Sequence, residues 1–245
     1  MSVAWIEPDW PAPPGVRAAT SLRVGGVSRG PYASLNLGAQ VGDDPGRVEE
    51  NRRRLADALG LPAEPVWLQQ VHGCRAVRAD QPAPMAADAA WTDAVGVVCA
   101  VMTADCLPVL LCTRDGGAVA AIHAGWRGLA TGVIESTLAA LGRGDLMAWL
   151  GPAIGPEAFE VGGEVRAAFL RNGPDFAAGF REAGADRWRA DLYCLARLIL
   201  VRQGLSDRAI YGGGWCTFAN PRAFFSHRRD RITGRMATLI WREGH

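Results

Sequence analysis

Three apolar, β-branched runs of strand length stand close together in the chain: "GVVCAVM" (96–102), "LPVLLCT" (107–113) and "GAVAAIHA" (117–124). Only the turn signal "TRDGG" separates the last two, so they read as a hairpin. Folding that hairpin about Asp115 and Gly116 pairs residues whose numbers total about 230, and Cys106 and His123 total 229. A thiol and an imidazole are therefore expected together at the open end of the hairpin, within a residue or two of register.

The rest of the chain alternates strands and helices around this unit. Residues 16–24 read as a strand, and 25–38 as a loop rich in Gly, Ser and Asn. Residues 43–61 read as a capped helix, with Asp44 as cap, Pro45 in the first turn and Gly60 at the end. "PVWLQQVHG" (65–73) and "CRAVRA" (74–79) read as strands joined near His72. A single helix is expected over 125–142, strand and loop over 147–155, and helices over 162–173 and 192–205. Strands at 209–218 and 235–243 flank a final loop. Several strands are linked by hairpins, so the class is α/β in the α+β sense, a mixed sheet with flanking helices rather than a doubly wound one. With 245 residues, 49% of them hydrophobic, and no linker, one domain over 1–245 is expected.

Charge and composition exclude several roles. The net charge is +1, so no global field draws the chain to nucleic acid or an anionic membrane, and neither is expected as a partner. No apolar run is long enough to cross a bilayer. The opening "MSVAWIEPDWPAPPG" has no apolar signal-peptide core, and the six cysteines form no CxxC pair. A cytoplasmic protein with reduced cysteines, monomeric or weakly homo-oligomeric, is expected. All 26 basic residues are Arg, which excludes a Schiff-base or P-loop lysine. "NRRRL" (51–55) reads as a solvated helix face.

Histidine is scarce: His72, His123, His227 and His245 are all there are. One Cys and two His at strand ends would give three metal ligands and an open fourth position, the catalytic zinc pattern. The same residues also suit a buried small thiol beside hydrogen-bonded histidines, or a Cys–His pair with Cys106 as nucleophile and His123 as its base. Nothing local ties His72 to the other two. The helix start at "GWRG" (125–128) offers free N–H groups to an anion, with Arg127 beside them.

Taken together, "LRVGGVSRGPYASLNLGAQVGDDPGRVEENRRRL", "QQVHG", "ADAAWT", "TADCLPVLL", "AAIHAGWRGL", "GPAIGPEAFEVGGEV" and "FFSHRRDRITGRMATLI" resemble the YfiH family over nearly the whole chain. That family is also called the polyphenol oxidase or purine nucleoside phosphorylase family and includes the peptidoglycan editing factor. The resemblance implies a layered α/β sandwich shared with the cytotoxic necrotizing factor toxins. It implies zinc held by His72, Cys106 and His123, which are then also catalytic. It implies phosphorolysis of adenosine, inosine and methylthioadenosine, and deamination of adenosine.

The chemistry can be weighed against the inventory. A multicopper oxidase needs a His₂Cys site and a separate cluster rich in imidazole, which four histidines cannot supply; copper could still replace zinc at the single site. Zinc brings its bound water to a pKa of roughly 7, suited to deamination. The H-x-E and P-C-x-x-C signatures of zinc base deaminases are missing, which leaves Asp105 as the candidate proton carrier. Phosphorolysis needs an anion site, with Arg23, Arg127, Arg228 and Arg229 as candidates. Ser34 and Asn36 are candidates for base or ribose contacts, and Phe224 or Phe225 for stacking, although core packing is the expected role of these aromatics. The alternatives are a metal-free Cys106–His123 hydrolase that edits a peptidoglycan precursor, and a binding protein stabilised by zinc.

Overall fold

The computed structural model describes residues 2–81, 86–142 and 144–244; His245 lies outside them. Two large sheets stack face to face. The five-stranded sheet runs in the order β1 (Trp5–Ile6), β2 (Val16–Ser21), β14 (Met236–Arg242), β6 (Val98–Thr103) and β3 (Val66–Trp67). The six-stranded sheet runs β13 (Ile210–Gly212), β9 (Leu146–Leu150), β7 (Leu107–Thr113), β8 (Val119–Ala124), β5 (Ala89–Thr92) and β4 (Ala76–Arg78). Most pairs are antiparallel, whereas β3–β6, β4–β5 and β9–β13 are parallel, so both sheets are mixed.

Strand alternation builds the layers. Along β7, Leu110 and Cys112 pack with Cys99, Val101 and Ile240 between the sheets, whereas Val109 and Leu111 face the helices. Those helices are α2 (Trp126–Thr131), α3 (Val133–Leu141), α4 (Gly163–Leu170) and α5 (Leu192–Arg202). On the opposite side α1 (Pro45–Leu59) lays Leu55 against Val98, Ala100 and Leu239. The result is an α/β/β/α sandwich. Strands buried on both faces need apolar side chains at every position, which is why β7 and β8 read as unbroken apolar runs. Among the described residues, no helix is long and apolar enough to cross a membrane.

Helix α1 ends as its sequence predicts: the Asp44 side chain accepts from the Arg47 N–H, and Gly60 takes the left-handed conformation. The helix expected over 125–142 is instead two. Gly132, at φ 94°, closes α2 and opens α3. The strand expected over 65–73 is only β3, because residues 68–73 are held as a loop by side-chain bonds described below. The strand expected over 209–218 stops at Gly212, where Gly212, Gly213 and Gly214 all have positive φ. A small sheet of β10 (Glu160–Gly162), β12 (Arg187–Ala190) and β11 (Phe180–Glu182) has no counterpart in the sequence reading, since its strands are only three or four residues long and carry charged side chains among the apolar ones. The last helix is the single turn α6 (His227–Asp230).

The chain changes sheets where the site lies. The β3–β4 connection carries His72 from the five-stranded to the six-stranded sheet. The β6–β7 connection makes the same passage and carries Cys106. His123 stands near the end of β8, on the strand face shared with Val119 and Ala121 that looks toward the other sheet.

Candidate metal centre

The hairpin register lies within the expected error: Pro108 pairs with His123 and Leu107 with Ala124, one unit from the expected total, which leaves Cys106 just beyond the pairing. The thiol still reaches the imidazole. One donor atom from each of His72, Cys106 and His123 lies within 4.8 Å of the other two. His72 Nε2 is 3.9 Å from Cys106 Sγ, and the two imidazole centroids are 4.7 Å apart, edge to face. His123 is buried, Cys106 half-buried and His72 exposed.

Asp88, at the start of β5, joins these pieces. It is completely buried. Its Oδ1 accepts from His123 Nδ1 at 2.8 Å and from the His72 backbone N–H at 2.9 Å; its Oδ2 accepts from the Gly73 N–H at 2.7 Å and the Val71 N–H at 3.3 Å. Its carbonyl accepts the His123 N–H at 2.7 Å. The carboxylate thus fixes the His72 loop to β8 and, by holding His123 Nδ1–H, leaves Nε2 of that ring free to ligate. Gln70 pins the same loop to β6, donating to the Met102 carbonyl and accepting from its N–H, both at 2.7 Å. Sequence reading missed both residues, although Asp88 lies inside the quoted "ADAAWT". The signal available was a carboxylate within a strand-like apolar run, where burial demands partners.

The electrostatics follow from this packing. Burial pushes the Cys106 thiol up, but His123 and then His72 outweigh it and bring the thiol down to about 6. Burial also works against a charged His123, yet the Cys106 thiolate and Asp88 raise it to about 9. Asp88 sits below the ordinary carboxylate range: burial opposes its charge, and the bonds from His123 and the Gly73 N–H overcome that. Without metal, both shifts run toward a thiolate beside an imidazolium.

The donor set fits a metal. Bonds of about 2.0–2.3 Å to a tetrahedral zinc imply donor–donor edges of roughly 3.3–3.8 Å, and the 3.9 Å separation is close to that. No backbone fills the space, because Gly125 closes the floor: a Cβ there would lie 3.0 Å from Cys106 Sγ and 3.3 Å from His72 Cδ2. Among the described residues this is the one group of three or more His, Cys, Asp or Glu placed to hold a metal ion.

The three donors open into a cleft of about 710 Å³ that is also lined by Arg52, Arg127, Arg235 and His227. The Arg127 guanidinium lies over the Trp126 ring at 4.4 Å and makes no hydrogen bond to the described residues. Arg52 is not on a solvated face as "NRRRL" suggests. Its Nε and Nη2 donate to the Leu37 carbonyl, and it stacks on Trp67 at 4.1 Å. Arg53 and Arg54 of the same run do face outward, paired with Glu50. Arg235 donates through Nη1 to the Thr233 and Gly234 carbonyls. Burial lowers the pKa of both Arg52 and Arg235, so these cations are poorly solvated, a setting that favours an anion.

The other nominated residues lie elsewhere. Arg23 donates to the Ala33 and Pro221 carbonyls and stacks on Phe225. Ser34 Oγ accepts from the Gly26 N–H. Asn36 is buried, accepting from the Gly38 and Arg235 N–H groups and donating to Asp43. These three shape the loop under the cleft without lining it. Arg228 donates to the Glu160 carbonyl and faces a separate cavity beside Trp215 and Cys216; Arg229 is spent on the Thr217, Phe218 and Phe224 carbonyls. Phe224 and Phe225 are core, as expected. Asp105 lies behind the cleft wall, between Ala104 and Cys106, which line it.

Comparison with known proteins finds relatives over nearly the whole chain. The family model described as "Multi-copper polyphenol oxidoreductase laccase" matches residues 17–243. The chain is 54% identical over 241 residues, 97% of this chain and 98% of the other, to "Purine nucleoside phosphorylase PA4543" of Pseudomonas aeruginosa. It is 53% identical over 240 residues, 96% of this chain and 98% of the other, to "Purine nucleoside phosphorylase YfiH" of Escherichia coli. Among solved structures, Neisseria meningitidis protein NMB0706 superposes with a TM-score of 0.94 at 50% identity, covering 98% of this chain and 99% of that one. YlmD from Geobacillus stearothermophilus gives 0.91 at 34% identity, covering 98% and 96%. The family model, the sequence identity and the fold together establish that the chain belongs to this laccase-like YfiH family.

Proposed function

We propose that the chain is a zinc-dependent purine nucleoside phosphorylase that acts on adenosine, inosine and methylthioadenosine and also deaminates adenosine. The observation that carries the reading is the convergence of His72, Cys106 and His123 in the floor of a cleft whose walls hold Arg52, Arg127 and Arg235. The names of the relatives support the substrate class. Zinc bound by the three side chains supplies a Lewis acid at the floor. Arg127, whose guanidinium makes no hydrogen bond to the described residues, takes the phosphate, and Arg52 and Arg235 add charge to the same cleft. In phosphorolysis a phosphate oxygen bonds to ribose C1′ as the C1′–N9 bond breaks, and the purine leaves with a proton. His227, which also lines the cleft, is the candidate proton donor to the leaving base.

The test is chromatography of each nucleoside incubated with and without phosphate. Base and ribose 1-phosphate should form only with phosphate, and Arg127→Ala should raise the phosphate KM by tenfold or more, the scale of a charged hydrogen bond. Base release that ignores phosphate rejects the phosphorylase. A second reading is favoured by one feature, the adjacency of the Cys106 thiol and the His123 imidazole: without metal Cys106 is a nucleophile whose proton, held by His123, is returned to the leaving amine in amide hydrolysis, as in editing of a peptidoglycan precursor.

A further inference from the structure

Asp105 precedes Cys106 and has an unusual backbone. Its φ is 91°, in the left-handed region that a residue with a Cβ adopts only when its surroundings enforce it. The enforcement is visible. The Asp105 carbonyl accepts from the Ile154 N–H at 2.9 Å. Its Oδ1 accepts from Thr217 Oγ1 at 2.6 Å, and its Oδ2 from the Arg228 N–H at 2.6 Å. Thr217 is fully buried, and its own N–H donates to the Ala153 carbonyl at 2.9 Å. One side chain therefore ties the turn that carries Cys106 to two segments of the final loop. The second tie falls in the first turn of α6, one residue from His227.

The direction of the side chain matters as much as its partners. Ala104 and Cys106 line the cleft, whereas Asp105 between them does not. It points through the wall toward Thr217 and Arg228, and each oxygen is committed to a short bond there. A group so placed does not touch a substrate in the cleft. It does set where the Cys106 sulfur and the His227 ring stand relative to each other, because both hang from backbone that this carboxylate fixes.

We propose that Asp105 is a positioning residue, a clamp that holds the Cys106 turn and the His227 helix in one arrangement across the cleft, and not the proton carrier of the reaction. The proposal rests on the metal-centre reading above. It makes a specific claim about chemistry: the clamp needs two hydrogen-bonding atoms at this place, not a titratable group. Asparagine meets that need. Its amide oxygen can accept from the Arg228 N–H while its NH₂ donates to Thr217 Oγ1, and Asn tolerates left-handed backbone better than most residues. Alanine removes both ties. Thr217→Val removes one tie from a buried site outside the cleft.

The experiment compares wild type, Asp105→Asn, Asp105→Ala and Thr217→Val. Zinc affinity is measured by competition with a chromophoric chelator, kcat and KM by inosine phosphorolysis, and folding by urea midpoint. Asp105→Asn should keep zinc affinity and kcat within about threefold of wild type. Asp105→Ala should lose tenfold to hundredfold in zinc affinity, the range found when a support of a metal ligand is removed. Thr217→Val should lose threefold to tenfold, and in both variants kcat should fall more than KM rises. If Asp105→Ala does not fold, Thr217→Val carries the test alone. Loss of kcat by a hundredfold or more in Asp105→Asn with zinc affinity intact overturns the proposal in favour of proton transfer. Wild-type zinc affinity and kcat in both Asp105→Ala and Thr217→Val also overturn it. A wild-type protein that binds no zinc fails the metal reading separately, and the clamp is then decided by kcat in the same variants.

Discussion

Asp88 shows how much one side chain can organise. Four N–H groups converge on its carboxylate, three from the His72 loop and one from the His123 ring, and no water-facing surface remains to replace them. Removing one partner of a buried ion pair costs about 3–5 kcal/mol, because the other charge stays buried. Asp88→Asn is therefore expected to lower stability by about that amount. It should also weaken zinc binding by about tenfold to hundredfold, through misorientation of His123. Chelator competition and urea denaturation on the same preparation check both, and unchanged values of either would refute the role given to Asp88. At this scale the sequence was half legible. Cys106 and His123 could be brought together from a turn and a count, since hairpin pairing is local. His72 could not be placed, because it reaches the site through a crossover between sheets that no local pattern encodes. Of the cleft arginines, Arg127 was nominated from the sequence, whereas Arg52 was read as solvated and Arg235 was not singled out, because these two enter the cleft from elements far apart in sequence.

The helical elements make a separate prediction at Gly132. Its φ of 94° lets α2 stop and α3 start in adjacent residues, so α2 can leave the site at one angle while α3 packs against β5 and β8 at another. A Cβ would meet nothing closer than the Glu135 carboxylate at 3.7 Å, so the penalty is conformational rather than steric. Gly132→Ala should lose about 1–2 kcal/mol in urea denaturation, with zinc content unchanged. An unaltered midpoint would show that the break is not held by this glycine. The sequence reading ran one helix through 125–142 because its apolar pattern continues past Gly132, and a lone glycine within a helical pattern is often tolerated. Among the elements read correctly, α1 and β6 to β8 have strong local marks: a cap with proline and glycine, or an unbroken apolar run. The sheet β10–β12–β11 has neither.

At the scale of the whole molecule, two sheets with a shared interior force the chain to cross between them, and the crossings β3–β4 and β6–β7 deliver His72 and Cys106 to the rim where β8 presents His123. The mixed-sheet class was readable from the order and linkage of elements, and the layered sandwich from the family resemblance. The register that makes a site from it was not, because it depends on how the sheets stack. This architecture separates the two chemistries that His72, Cys106 and His123 allow. A Cys–His hydrolase needs only Cys106 and His123, whereas a metal enzyme needs His72 as well. The most direct measurement is zinc content and inosine phosphorolysis of His72→Ala beside wild type, with folding checked by circular dichroism. The account predicts about one zinc per chain in wild type, and loss of both metal and turnover in a folded His72→Ala protein. Full turnover by a zinc-free His72→Ala protein would contradict it.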